Sequence, residues 1–178
     1  MKNNDLEQIN RNNFKVLMNV LSQPGKIQKV QTLFNSNILA LANTLLYSEV
    51  SFYYEGDEDF TLIEAITNST KEEITNADYI FCDEVNENLL LKAKIGKDKD
   101  PELSATLIFK CKNFKGLKVL LTGPGINKSR EVFLPINKSF IDSFNEKNSL
   151  YPLGNEVFFL NEINEVLAIS RTTKLELI

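Results

Sequence analysis

The chain has 178 residues, of which 43% are hydrophobic, with a formal net charge of -4 and a pI of about 5.0. That length suits one globular domain with a buried core, and the composition excludes a disordered chain and a broad basic surface for nucleic acid. Histidine and tryptophan are absent, which excludes a Ser-His-Asp triad, a Cys-His pair and the H-E-x-x-H zinc motif.

The N-terminal stretch "MKNNDLEQINRNN" has no apolar segment of the signal-peptide kind. The longest unbroken apolar run, Ile38 to Ala42, is far short of the ~20 residues of a membrane span. A soluble, cytoplasmic protein is the expectation. Phe14, Leu17, Met18 and Leu21 fall at i, i+3, i+4, i+7 and predict one apolar helix face, with Asp5 as the candidate cap and Pro24-Gly25 as the stop. Ile38, Leu41, Ala42, Leu45 and Leu46 repeat the pattern behind Asn35 or Ser36, and this helix is apolar enough to be central. "VSFYY" (50–54) reads as a strand. In "GDEDFTLIEAIT" the acids are expected at a helix start, where the dipole favours negative charge. "DYIFC" reads as a buried strand, and "DEVNENLLLKAK" as a helix with Val85, Leu89 and Ala93 four apart.

"IGKDKDPE" reads as a loop, after which the hydrophobic period changes. "ATLIFKC" and "LKVLLT" are strands that "KNFKG" is expected to join as a hairpin, and "VFLP" is a further short strand. Phe140, Ile141 and Phe144 mark a helix capped by Asn137 or Ser139. The tail, from Asn155, reads as two or three strands with a turn at Asn161 to Asn164. Helices alternate with strands early and strands pair late. The fold class is therefore α/β, a single layered domain over residues 1–178 with a mixed sheet flanked by helices.

Two short stretches carry candidate chemistry. In "VLLTGPGINKSRE" (119–131) a strand runs into Gly123-Pro124-Gly125. The spacing fits neither the P-loop nor the Rossmann fingerprint, and Pro124 lacks one N–H that an anion nest would use. The stretch is a turn, or a turn that also holds a ligand or a partner chain. In "SRTTK" (170–174) Arg171 offers a fork of donors for phosphate or carboxylate, and Thr172 and Thr173 add hydroxyls. The alternative there is a solvated turn or a structural salt bridge. "EGDEDF" (55–60) does not fit a calcium loop, no lysine stands out as a Schiff base, and Cys82 and Cys111 are expected as reduced, buried thiols. No catalytic or metal set emerges. Two classes stay open: a non-catalytic subunit or binding module, and an enzyme that uses Arg, Thr and backbone groups on a phosphorylated ligand.

"FKVLMNVLSQPGKI" (14–27), "SATLIF" (104–109), "LLTGPGI" (120–126), "NSLYPLGNEVFFL" (148–160) and "LAISRTT" (167–173) come in one order along nearly the whole chain. Together they resemble the blocks of the PhnH family, whose members are components of the bacterial carbon–phosphorus lyase core complex. Against that pattern, Lys15 and Gln23 stand in place of the family's arginines, Glu156 in place of an aspartate, and Ser170 in place of a proline. The resemblance implies a fold like that of pyridoxal-phosphate-dependent transferases, without the cofactor. It implies partners in subunits G, I and J, a homodimer when isolated, and no cofactor bound by this subunit. It also implies a part in forming ribose 1-phosphonate 5-triphosphate from ATP and an alkylphosphonate, structural rather than catalytic. The ligand- or partner-binding candidates are Gly123, Gly125, Arg171, Thr172 and Thr173.

Overall fold

The computed structural model describes residues 3–178. The first half carries α1 (Asn3–Ser22), β1 (Gln28–Lys29), α2 (Asn37–Leu45), β2 (Ser51–Glu55), α3 (Thr61–Thr67), β3 (Thr70–Lys71), β4 (Tyr79–Cys82) and α4 (Glu87–Lys92). The second half carries β5 (Ile95–Lys97), β6 (Asp100–Ser104), β7 (Thr106–Cys111), β8 (Leu117–Thr122), β9 (Arg130–Leu134), α5 (Lys138–Lys147), β10 (Glu156–Asn161), β11 (Glu165–Ile169) and β12 (Lys174–Leu177). Seven strands form one mixed sheet in the order β1-β11-β10-β7-β4-β2-β3, parallel from β10 to β3 and antiparallel at β11 and β1. A second sheet has the order β12-β8-β9, and β5 and β6 form a separate hairpin.

The parallel strands read as continuous apolar runs because both faces of the sheet are covered. Alternate residues serve opposite cores. Leu107 and Phe109 of β7, and Val157 and Phe159 of β10, join α4, α5 and the inner face of the second sheet. Ile108, Phe158 and Leu160 join α1, α2 and α3 on the other side. α2 is central, as its sequence predicts: Asn37 to Asn43 are all buried, and the Ser36 hydroxyl accepts from Leu39 N–H. No helix among the described residues is long and apolar enough to cross a membrane.

Several expectations are corrected. α1 begins before Asp5, which lies in its first turn instead of capping it. The inward face of α1 carries Asn13, Leu17 and Val20, whereas Phe14 and Met18 are about half exposed. The helix is rotated because the Asn13 amide docks on Gln31, donating to its carbonyl at 3.0 Å and accepting from its N–H at 2.8 Å. The acids of 57–59 precede α3: Asp59 accepts from Thr61 N–H, and Glu58 turns back to Ser36 and Lys110. α4 is only six residues long, capped by Asn86, with Val85 outside it. "IGKDKDPE" is not a plain loop but most of the β5–β6 hairpin, paired Ile95 to Ser104 and Lys97 to Asp100. "KNFKG" joins no hairpin. It carries the chain from β7 in the large sheet to β8 in the small one. Both thiols are free, Cys82 fully buried and Cys111 partly so.

Candidate functional site

Three turns that are distant in sequence meet at one end of the second sheet. Lys26 N–H closes the first on Gln23 O at 3.0 Å, and Gly25 N–H fastens it to Ala168 O at 2.9 Å. The Arg130 guanidinium donates to the carbonyls of Gln23 and Pro24, at 3.1 and 2.6 Å. The Gly-Pro-Gly turn, closed by Ile126 N–H to Gly123 O at 3.2 Å, stacks against this turn. A Cβ on Gly125 would lie 2.1 Å from Ser22 O, and one on Gly123 would lie 2.6 Å from Thr172 O. Both glycines also sit at positive φ, +80° and +136°. Close approach and backbone conformation therefore both demand glycine.

The third turn, 170–173, is tied within itself. Thr173 N–H donates to Ser170 O at 2.9 Å, and Ser170 N–H donates back to Thr173 Oγ1 at 3.2 Å. Arg171 projects from it with its side chain only 18% exposed. Its Nε donates to Glu156 Oε1 at 2.7 Å, and its Nη1 to Pro101 O at 3.0 Å and Pro152 O at 3.2 Å. One side chain thus joins the turn, the start of β10, β6 and the loop after α5.

Beside this junction opens a pocket of about 910 Å³. Thr122 and Pro124 form one part of its wall, residues 171–176 another, and Asn145, Asn148, Ser149 and Tyr151 the third. The Asn145 side chain fixes the wall strand by donating to Leu175 O at 2.8 Å and accepting from Leu175 N–H at 3.0 Å. Asn148 likewise holds Asn155, accepting from its N–H at 2.8 Å. A smaller hollow beside it, lined by Pro101, Glu102, Pro152 and Glu156, shares Tyr151, Arg171 and Thr172.

Of the residues nominated from sequence, Arg171, Thr172 and Thr173 line the large pocket. Gly123 and Gly125 stand behind its wall, packed against carbonyls, while their neighbours Thr122 and Pro124 face in. Sequence reasoning missed Lys174, Tyr151 and Asn145. The first two lie inside quoted motifs, but nothing in a linear reading shows that α5 closes on β12.

It also missed a charged network at the carboxyl ends of β2, β4 and β7. Lys110 lies 3.5 Å from Glu58 and 3.3 Å from Asp83, and Tyr54 donates to Asp83 at 3.0 Å. Burial, together with Asp83, holds the Tyr54 phenol well above its usual range. Asp83 Oδ1 has the Lys110 ammonium beside it but no aligned hydrogen bond. The Lys110 ammonium bridges the two carboxylates, and these contacts tie the ends of β4 and β7 to the segment that follows β2. Burial pushes the Cys82 and Cys111 thiols up to about 11 and about 12, so little thiolate exists at neutral pH. Among the described residues no group of three or more His, Cys, Asp or Glu is arranged to hold a metal.

Fold and site together define an α/β protein with an open mixed sheet and a pocket beside three stacked turns. The chain belongs to the PhnH family: the model of the bacterial phosphonate metabolism protein (PhnH) matches residues 4–176. Its role lies in phosphonate metabolism. No curated protein matches the chain.

Proposed function

We propose that this chain is a non-catalytic subunit of the carbon–phosphorus lyase core complex. It is needed with subunits G and I to form ribose 1-(alkyl)phosphonate 5-triphosphate from ATP and an alkylphosphonate. The observation that carries the reading is the family match across residues 4–176. It is supported by the state of the site. The Arg171 charge is matched by Glu156, and the Gly-Pro-Gly turn packs against carbonyl oxygens instead of opening an anion nest. Association with subunits G, I and J, a homodimer in isolation, a cytoplasmic location and a cofactor-free transferase-like fold belong to the same proposal.

The test is reconstitution. Subunits G and I with the accessory ATPase subunit, ATP and methylphosphonate are assayed for adenine release, with and without this chain. Release that depends on the chain is the expected result. Equal release without it removes the chain from the synthase step. A second reading, direct contact with a nucleotide or phosphonate, is favoured by one observation, that Arg171, Thr172 and Thr173 all line the same pocket.

A further inference from the structure

Two turns away from the pocket stand side by side at the carboxyl end of the parallel strands. The first, 33–36, leads into α2 and is closed twice, by Leu33 N–H to Ser36 O and by Ser36 N–H to Leu33 O, each at 2.9 Å. The second, 161–164, joins β10 to β11 and is closed by Asn164 N–H to Asn161 O at 3.1 Å. Asn37 links the two, its Nδ2 donating to Asn161 O at 2.9 Å and to Asn164 Oδ1 at 3.1 Å. Each turn lifts one large apolar side chain into solvent, Phe34 at 50% exposure and Ile163 at 61%.

Phe34 is an unusual residue for its place. Its φ is +54° and that of Asn35 is +59°. Two successive positive φ values make a type I′ turn, which favours Asn-Gly. The left-handed region is strained for a bulky side chain. The Phe34 ring has no aromatic partner among the described residues that would offset the strain. Around the tips the charge is mainly acidic. Glu162 is exposed beside Ile163, and the exposed Asp57 and Asp59 flank Glu58, which accepts from Ser36 Oγ at 2.8 Å. Lys110 is held by Glu58 and Asp83, and Lys29 stands opposite Glu165. Only Lys112 and Lys115, in the segment after β7, add further exposed positive charge at this end.

We propose that Phe34 and Ile163 are the anchors of a docking surface for another protein of the complex, one that presents an apolar socket edged by arginine or lysine. Seating in the socket covers the ring and offsets a strain that folding alone leaves in place. The acidic surroundings select a basic edge and steer the encounter. The inference rests on the assembly role proposed above and gives that role a contact surface.

The test measures the affinity of the full-length chain for purified subunits G, I and J, and the melting temperature of each variant alone. Asparagine suits a left-handed backbone, so Phe34→Asn is expected to melt at or above the wild-type temperature and yet to bind about tenfold more weakly. Ile163→Ser and Glu162→Lys are expected to weaken binding as well, and added salt to weaken it in the wild type. Wild-type affinity in Phe34→Asn would overturn the proposal. So would a melting temperature of Phe34→Asn below wild type, because the ring would then be stabilised within its own chain. Loss of self-association in isolated Phe34→Asn, with binding to the other subunits intact, would assign the surface to a second copy and overturn it too. If the wild-type chain does not join subunits G, I and J, the assembly role fails and this proposal fails with it. If the wild type joins them and Phe34→Asn joins equally well, only this proposal fails.

Discussion

Arg171 and Glu156 are joined twice: Arg171 Nε donates to Oε1 of the carboxylate at 2.7 Å, and the Arg171 backbone N–H donates to Oε2 at 2.8 Å. The two side chains are 18% and 14% exposed, so the pair is largely out of water. Removing one partner of such a pair leaves the other charge uncompensated. Glu156→Ala is expected to cost about 3 kcal/mol in urea unfolding. Glu156→Gln costs less, since its amide oxygen still accepts one of the two bonds. Arg171→Lys recovers little, because one ammonium cannot reproduce bonds aimed at Glu156, Pro101 and Pro152. If Glu156→Ala unfolds at the wild-type urea midpoint, the clamp carries no stability.

The stacked turns make a sharper prediction at glycine. Gly125 has φ of +80° and Ser22 O at 2.1 Å from the Cβ it lacks, and the obstacle is backbone that cannot rotate away. Gly125→Ala is expected to lose about 3 kcal/mol through strain and displacement of the first turn. The displacement should free the Arg130 contacts to Gln23 and Pro24, and so speed amide exchange at the C-terminal end of α1. A stability within about 0.5 kcal/mol of wild type would show that the two turns are not locked.

The face of α1 separates what a linear pattern reveals from what it hides. Phe14 and Met18 fit the apolar period and are nevertheless about half exposed, while polar Asn13 is 1% exposed. Phe14→Ser is expected to change stability by less than about 0.5 kcal/mol, and Leu17→Ala to cost about 3 kcal/mol. Asn13→Ala should cost about 2 kcal/mol, because Gln31 N–H and C=O both lose their partner. Urea unfolding of the three variants checks the order, and a large loss in Phe14→Ser would return the sequence-based face.

Local signals were readable in the chain where the physics is local. Ser36 and Asn137 cap α2 and α5, Pro24 and Gly25 lie beyond the end of α1, and the β-branched and aromatic runs of β4, β7 and β10 became strands. Pairing was not readable, because it is decided across the chain. Cys111 and Leu117 are close in sequence, yet β7 finds partners in β4 and β10, and β8 finds them in β9 and β12. The charged tip Asp98-Lys99 of the β5–β6 hairpin concealed two strands whose pairing is short and whose side chains are mostly solvated. The site was half legible for the same reason. The glycines, the prolines and the 170–174 motif could be singled out, but the convergence of the three turns, and the closing of α5 onto β12 through Asn145 and Leu175, is tertiary.

Titration offers two groups of opposite sign. Cys82 is raised by burial to about 11 from an ordinary value of 9.0, so above pH 9 the unfolded thiol loses its proton while the folded one keeps it. Its contribution to stability is present below pH 9 and is lost as pH rises toward 11, at about 1.4 kcal/mol per pH unit. Lys147 moves the other way. Burial lowers its ammonium to about 8 from 10.5, although it caps α4 by donating to the carbonyls of Leu90, Leu91 and Ala93. Between pH 8 and 10.5 the unfolded chain holds a proton there that the folded chain has released, so this group adds stability as pH rises. The constant cost of a missing side chain does not change with pH, so differences between variants isolate the protons. Wild type minus Cys82→Ala should fall between pH 9 and 11, and wild type minus Lys147→Met should rise between pH 8 and 10.5. Parallel, flat differences would mean that Cys82 and Lys147 titrate in the folded chain as they do in water. A falling Lys147 difference would mean that its three carbonyls outweigh burial and hold the ammonium charged.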